Sequence, residues 1–394
     1  MKKSGSYILF DKAFASLRLC VMFFSRKARP AMPFGRGAKA QRGRIVLRIS
    51  NYSKSALLFL FIINSLFANA QDILNRKAAI DSTFLGVEYY ANENIDDAIQ
   101  MFTSALKSDS TYDEARYRRA NAYYEQNNYK LARNDYQWLV NHHIKNADVY
   151  ERLGDMDTAT QNFKDALPLF SEAIAIDSTQ GSYFAARGLT FFYFEKYENA
   201  SIDLNKAVDL NYTSADLYSK LGYAKLRTGD NKSAALYFTK AIDANPKNYE
   251  DYANRGDALV ALHLLDEAKE DLLYYMKYDS TDYSVWYNLA RADYGLKQYD
   301  SSIASYKKVI SLKPGYGDTY FRLALVYGDK GDYKNAVNSF DNAIREYPKD
   351  AYLYYNRAIA KARLNDGSDY CADLKIAADM DYELAINMMK KVCK

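Results

Sequence analysis

Residues that carry chemistry are scarce in this chain: 394 residues hold three histidines, three cysteines and six prolines. The histidines, His142, His143 and His263, form no HExxH pair. The cysteines show no paired metal-ligand spacing, and no Gly-rich phosphate loop opens a helix. Gly35-Arg36-Gly37 is only a fragment of such a loop, and neighbours such as His142 and His143 diverge in direction on a helix, as surface residues do. Metal, cofactor and catalytic sites are therefore not expected, and residues 72–394 leave no room for an added catalytic domain. Long apolar runs are also missing. The one candidate, Ala56 to Ala68, falls short of the roughly 20 residues that span a bilayer, contains Asn64 and is followed by no basic stop-transfer cluster.

That run reads instead as the apolar core of a secretory signal within residues 52–70. Arg48 and Lys54 precede it, and Ala68-Asn69-Ala70 gives the small-x-small pattern for cleavage before Gln71. No cysteine near that point invites lipid anchoring. Residues 1–51 form a basic leader, too long for an ordinary signal. Two readings stay open: an upstream extension, with translation starting later, for instance at Met32, or a mitochondrial presequence. The net charge of +4 hides the asymmetry. Residues 1–70 hold 13 Lys and Arg against Asp11 alone, a surplus of twelve, so residues 71–394 are eight negative. A solenoid of that sign suits nucleic-acid phosphates poorly.

What the chain has in abundance is a period. Gly86, Ala120, Gly154, Gly188, Gly222, Gly256, Ala290, Ala324 and Ala358 follow one another every 34 residues without a gap. Twelve residues after each comes a second small residue (Ala98 through Ala336, with Ser302), a series from which only Tyr370 departs. Four further on stands a large one: Phe102, Tyr136, Phe170, Leu204, Phe238, Leu272, Tyr306, Phe340 and Leu374. Spacings of three, four and seven within Tyr218, Leu221, Gly222 and within Ala234, Phe238, Ala241 are helical, and Gly229-Asp230 breaks the pattern between them. Each unit is two short helices and a tight turn, with small residues placed where a neighbouring helix packs its large one. Such pairs bury their apolar stripes only by stacking.

These residues resemble the tetratricopeptide repeat (TPR) family: the Trp286, Leu289, Ala290 run, the Ala336, Phe340, Ala343 run, and Pro246, Pro314 and Pro348 at repeat ends fall where its pattern puts them. The resemblance implies an all-α, right-handed TPR α-solenoid, with nine repeats over residues 71–382 and a capping helix over 383–394. It also implies a binding scaffold rather than an enzyme. With export, the chain is similar to exported TPR proteins of Bacteroidota-type bacteria.

In that family the first helix of each unit lines the concave groove, through positions three before, one after and four after the small residue. Here those positions, with Tyr352 beside them, give Tyr117, Asn121, Tyr124, Phe192, Tyr223, Tyr287, Arg291, Tyr294, Phe321 and Tyr355 as partner-binding residues. Tyrosine offers a flat apolar face and a polar tip, which suits a protein or peptide partner or, as a rival, a glycan. Packing between repeats is the alternative for any one ring. The clamp for heat-shock carboxylates requires lysines three and six before the small residue, and no repeat has them.

Structural expectations complete the reading. Glu114, Asp148, Asp216, Glu250 and Asp318 should sit in the first turns of first helices, favoured by the helix dipole. The Asp-Ser-Thr triplets at Asp81, Asp109, Asp177 and Asp279, the last three at repeat ends, should cap the helix that follows, and they resemble O-glycosylation acceptors. Asp155 and Asp157 stand where apolar residues are usual, and Pro168 predicts a kink or a late helix start, a hinge or a tolerated defect. Cys20 lies in the leader. Cys371 and Cys393 lie abreast if the last two helices form a hairpin about Tyr382, where a disulfide could form. The alternative is two small buried residues in a capping helix.

Overall fold

In a computed structural model, residues 42–365 and 369–393 are described; Met32, Cys20, Gly35-Arg36-Gly37 and most of the basic leader lie outside them. The described residues form nineteen α-helices and no strand. The chain divides into two compact units, residues 1–77 and 78–394. The helix α1 (Arg42–Ala91) runs through the signal-like segment, and no helix among the described residues is long and apolar enough to cross a membrane.

The second unit is the nine-repeat solenoid. First helices are residues 78–91 of α1, then α3 (Asp113–Glu125), α5 (Ala147–Ala159), α7 (Gly181–Tyr193), α9 (Ala215–Arg227), α11 (Tyr249–Ala261), α13 (Tyr283–Gly295), α15 (Thr319–Lys330) and α17 (Ala351–Leu364). Second helices are α2 (Ile95–Ser108), α4 (Tyr129–Asn141), α6 (Phe163–Ile176), α8 (Tyr197–Asp209), α10 (Asn231–Ala244), α12 (Leu265–Met276), α14 (Tyr299–Leu312), α16 (Tyr333–Glu346) and α18 (Tyr370–Asp379). A last helix, α19 (Glu383–Val392), covers the final pair.

The small-to-large pairing holds the two helices of each repeat together. A Cβ added at Gly154 would stand 2.7 Å from the Phe170 ring, at Gly222 3.0 Å from Phe238, and at Gly256 2.8 Å from Leu272. All nine large residues of the series are buried, from Phe102 to Leu374. Packing this close is what a dense interior requires.

The turn between the two helices carries a second period. Glu93, Asn127, Gln161, Glu195, Gly229, His263, Lys297, Gly331 and Asn365 all have positive φ, between 52° and 88°, and each lies seven residues after its small residue. Only two are glycine, so the left-handed conformation is imposed on side chains that disfavour it.

Some expectations need correction. Asp109, Asp177 and Asp279 do not cap the following helix. Each Oδ1 accepts from the backbone N–H and hydroxyl of the threonine two residues on (Thr111, Thr179 and Thr281), closing the turn on itself. Asp81 lies within α1. Asp318 occupies the cap position rather than the first turn of α15. Nor does α6 start late. It begins at Phe163, in register with Tyr129 and Tyr197, and continues through Pro168. Asp157 is buried because it answers Arg133 of the preceding second helix at 2.7 Å, a relation repeated by Asp293 with Lys269.

Candidate partner-binding groove

First helices of consecutive repeats pack on one another, α5 on α7, α7 on α9, α9 on α11 and α11 on α13, as the inner elements of a curved stack do. Their orientation is fixed from behind by buried ion pairs that the sequence reading missed. Arg119, Arg187, Arg255 and Arg357, each just before a small residue, fork onto Asp135, Asp203, Asp271 and Asp373, each sixteen residues later, at 2.6–2.9 Å. The same arginines reach back sixteen residues to Thr103, Ser171, Thr239 and Asp341 on the preceding second helix. Bidentate, charge-assisted contacts of this kind set geometry as well as energy. A search for Arg and Asp at a spacing of sixteen would have found them.

All eleven expected contact residues sit on first helices: Tyr117, Asn121 and Tyr124 on α3, Phe192 on α7, Tyr223 on α9, Tyr287, Arg291 and Tyr294 on α13, Phe321 on α15, and Tyr352 and Tyr355 on α17. Ten are half-buried and Tyr352 is exposed. Two groups meet in space. Phe192, Tyr223 and Tyr197 form a three-ring cluster with centroids 5.6–5.9 Å apart, under Arg227 at 4.8 Å from the Tyr197 ring. Phe321 meets Tyr352 at 5.5 Å, and Tyr382, at the start of α19, touches Tyr352 and Tyr355.

Several hydroxyls are already engaged between repeats. Tyr117 donates to Asp148 at 3.0 Å, Tyr287 donates to Asp318, Tyr294 to Asp329 at 2.5 Å, and Tyr90 to Glu125. Asp148 also accepts from Tyr183 at 2.6 Å. Burial and these acids push the Tyr90 and Tyr287 phenols up to about 12, so they donate at any ordinary pH. Asn121 accepts from the buried Tyr136 at 2.5 Å.

Acids share the same registers. Glu151 and Asp155 in repeat three, and Asp257 in repeat six, occupy positions matching Tyr117, Asn121 and Arg291. Burial raises all three carboxyls above their ordinary range, and Asp155, beside Glu151, is pushed up to about 7. A reading that weighted aromatics passed over them, although the spacing marks them equally. Elsewhere, His142 stacks on Trp138 with centroids 3.7 Å apart. The sulfurs of Cys371 and Cys393 are placed in a disulfide between the start of α18 and the end of α19, with Cα atoms 5.7 Å apart.

Stacked helix hairpins with an inner face of side chains, held by periodic contacts, define a repeat-solenoid binding scaffold. Residues 85–139 and 117–181 match one tetratricopeptide repeat family model, and residues 215–248, 283–316 and 317–350 match another. The chain belongs to the tetratricopeptide repeat family, whose members generally mediate protein–protein interaction and are generally not enzymes. It is similar to Tetratricopeptide repeat protein 6 of Homo sapiens, 27% identical over 208 residues that cover 51% of this chain and 39% of that protein. It is also similar to BBSome complex member BBS4 of Bos taurus, 23% identical over 261 residues covering 58% and 49%. The chain thus spans less than half the length of either relative. Among solved structures, it is similar to the C-terminal part of a TPR repeat-containing protein from Cytophaga hutchinsonii, at 19% identity and TM-score 0.48, covering 60% of this chain and 98% of that one.

Proposed function

We propose that this chain is an exported, non-catalytic scaffold that holds an extended segment of a protein partner along the inner face of its first helices, in envelope or secretion assembly. The observation that carries the reading is the inner face itself. Aromatic, amide and charged side chains recur there at the repeat spacing, and rings already fixed by neighbours lose little freedom on binding. Export is supported by the apolar run before Ala68-Asn69-Ala70 and by the Cys371–Cys393 pairing, which persists in oxidising compartments. Cleavage before Gln71 would leave residues 71–91 as the first helix.

The test is site-specific photo-crosslinking in the native cell. A photoreactive residue at Asn121, Arg291 or Tyr355 should capture one and the same partner, and one at Ile202 or Leu236 on second helices should not. Capture from the second-helix positions alone would overturn the groove. Sequencing the mature N-terminus tests export separately: Gln71 supports it, and a start upstream of residue 52 speaks for the mitochondrial reading.

A further inference from the structure

Between α11 and α13 the inner face opens into a cleft of about 360 Å³, within the size range of ligand sites. Glu250, Asn254 and Asp257 line it from α11 at helical spacing, and Tyr287, Asn288 and Arg291 line it from α13. We propose that this cleft receives a basic side chain, lysine or arginine, from the partner segment; the inference rests on the groove reading and names what the groove selects.

The charges in the cleft do not balance. Its only cation among these six residues is Arg291, whose Nη1 stands 3.7 Å from Asp257, beyond hydrogen-bond length. That same Nη1 donates to Asn288 at 3.0 Å. Two carboxylates, Glu250 and Asp257, thus line the cleft with one guanidinium, which stands off Asp257. Burial raises the Asp257 carboxyl above its ordinary range, although Arg291 and a hydrogen bond from Asn288 pull the other way. An entering ammonium or guanidinium would supply further positive charge beside Glu250 and Asp257; the Tyr287 ring at the wall is already faced by Arg291 and Arg322.

Two features favour a peptide over a free cation or a neutral sugar. Asn254 and Asn288 each lie two residues before their small residue, one repeat apart. The Asn254 amide carries a donor and an acceptor, the complement of a peptide unit, while Asn288 is held between Arg291 and Asp257. The surplus of negative charge on residues 71–394 would also steer a basic segment toward the face.

The experiment is selection of phage-displayed random dodecapeptides on the full chain, followed by binding of the selected peptides made synthetically. Enriched sequences should share a lysine or arginine. Replacing that residue by norleucine should weaken binding about tenfold, as should Asp257→Asn or Glu250→Gln in the protein. Enriched peptides without a basic residue would overturn this inference and leave the groove reading standing. So would unchanged affinity for both variants, with melting temperatures matching the parent. No enrichment of any peptide would overturn both.

Discussion

The Tyr117 hydroxyl donates to Asp148 at 3.0 Å, from the first helix of one repeat to the first helix of the next, and Tyr287 donates to Asp318 across the same interval of 31 residues. Asp148 therefore bridges repeats through Tyr117 and Tyr183 as well as favouring the start of its own helix. Its register-mate Asp216 is 68% exposed at the side chain and pairs loosely with Lys220, at 3.8 Å. Asp148→Ala should cost about 1–3 kcal/mol, since two hydroxyls lose their acceptor, that of Tyr183 in a part-buried position. Asp216→Ala should stay within about 0.5 kcal/mol. Urea unfolding of the two variants side by side decides it, and equal losses would refute the bridging role.

The arginine forks make a sharper forecast. Asp203 is buried, and Arg187 is committed to it through two nitrogens. Asp203→Ala should destabilise by about 3–5 kcal/mol because a guanidinium is left without its partner. Replacing both, Arg187→Met with Asp203→Leu, should recover most of the loss. A double variant as unstable as the single one would show that the charge is not the cause.

Packing of the small series against the large one predicts coupling. Gly154→Val should destabilise by about 1–3 kcal/mol by forcing a branched side chain into the Phe170 ring. Adding Phe170→Leu should return part of that loss, because the shorter side chain vacates the space. Thermal melts of the double-mutant cycle measure this directly, and strict additivity would contradict it.

Asp155 gives stability a pH dependence of defined sign. Its folded-state value of about 7 exceeds the ordinary 3.8, so between these the folded chain holds a proton that the unfolded chain has released. Its contribution to stability is therefore lost as pH rises from about 4 to about 7 and is flat above. The charges it faces are Glu151, which opposes ionisation, and Arg152, which favours it. Asp155→Asn should remove that slope and stabilise the chain at pH 8 by on the order of 1–2 kcal/mol, allowing for partial exposure. Denaturant midpoints at pH 5 and 8 supply the check.

How much of this was legible depends on what a sequence displays. The Gly86-to-Ala358 lattice and its large partners announce the helix pairs, because the close approach permits few side chains and leaves a repeating trace. The left-handed turn positions were hidden, because Glu93, Gln161, His263 and Lys297 adopt positive φ without the glycine that would signal it. Asp157 looked like a defect in repeat three because its partner, Arg133, belongs to the repeat before. Tyr117, Tyr287 and Tyr294 were singled out by register, but their hydroxyl partners lie 31 or 35 residues away, across a repeat boundary that no single repeat pattern contains.

The inner face as a partner surface is tested most directly by hydroxyl-radical footprinting of the full chain with and without its captured partner. Protection of Phe192, Tyr223, Tyr294 and Tyr352, with Ile202 and Leu236 oxidised equally in both states, is the predicted result. Protection confined to Ile202 and Leu236, with those four rings unchanged, would contradict it.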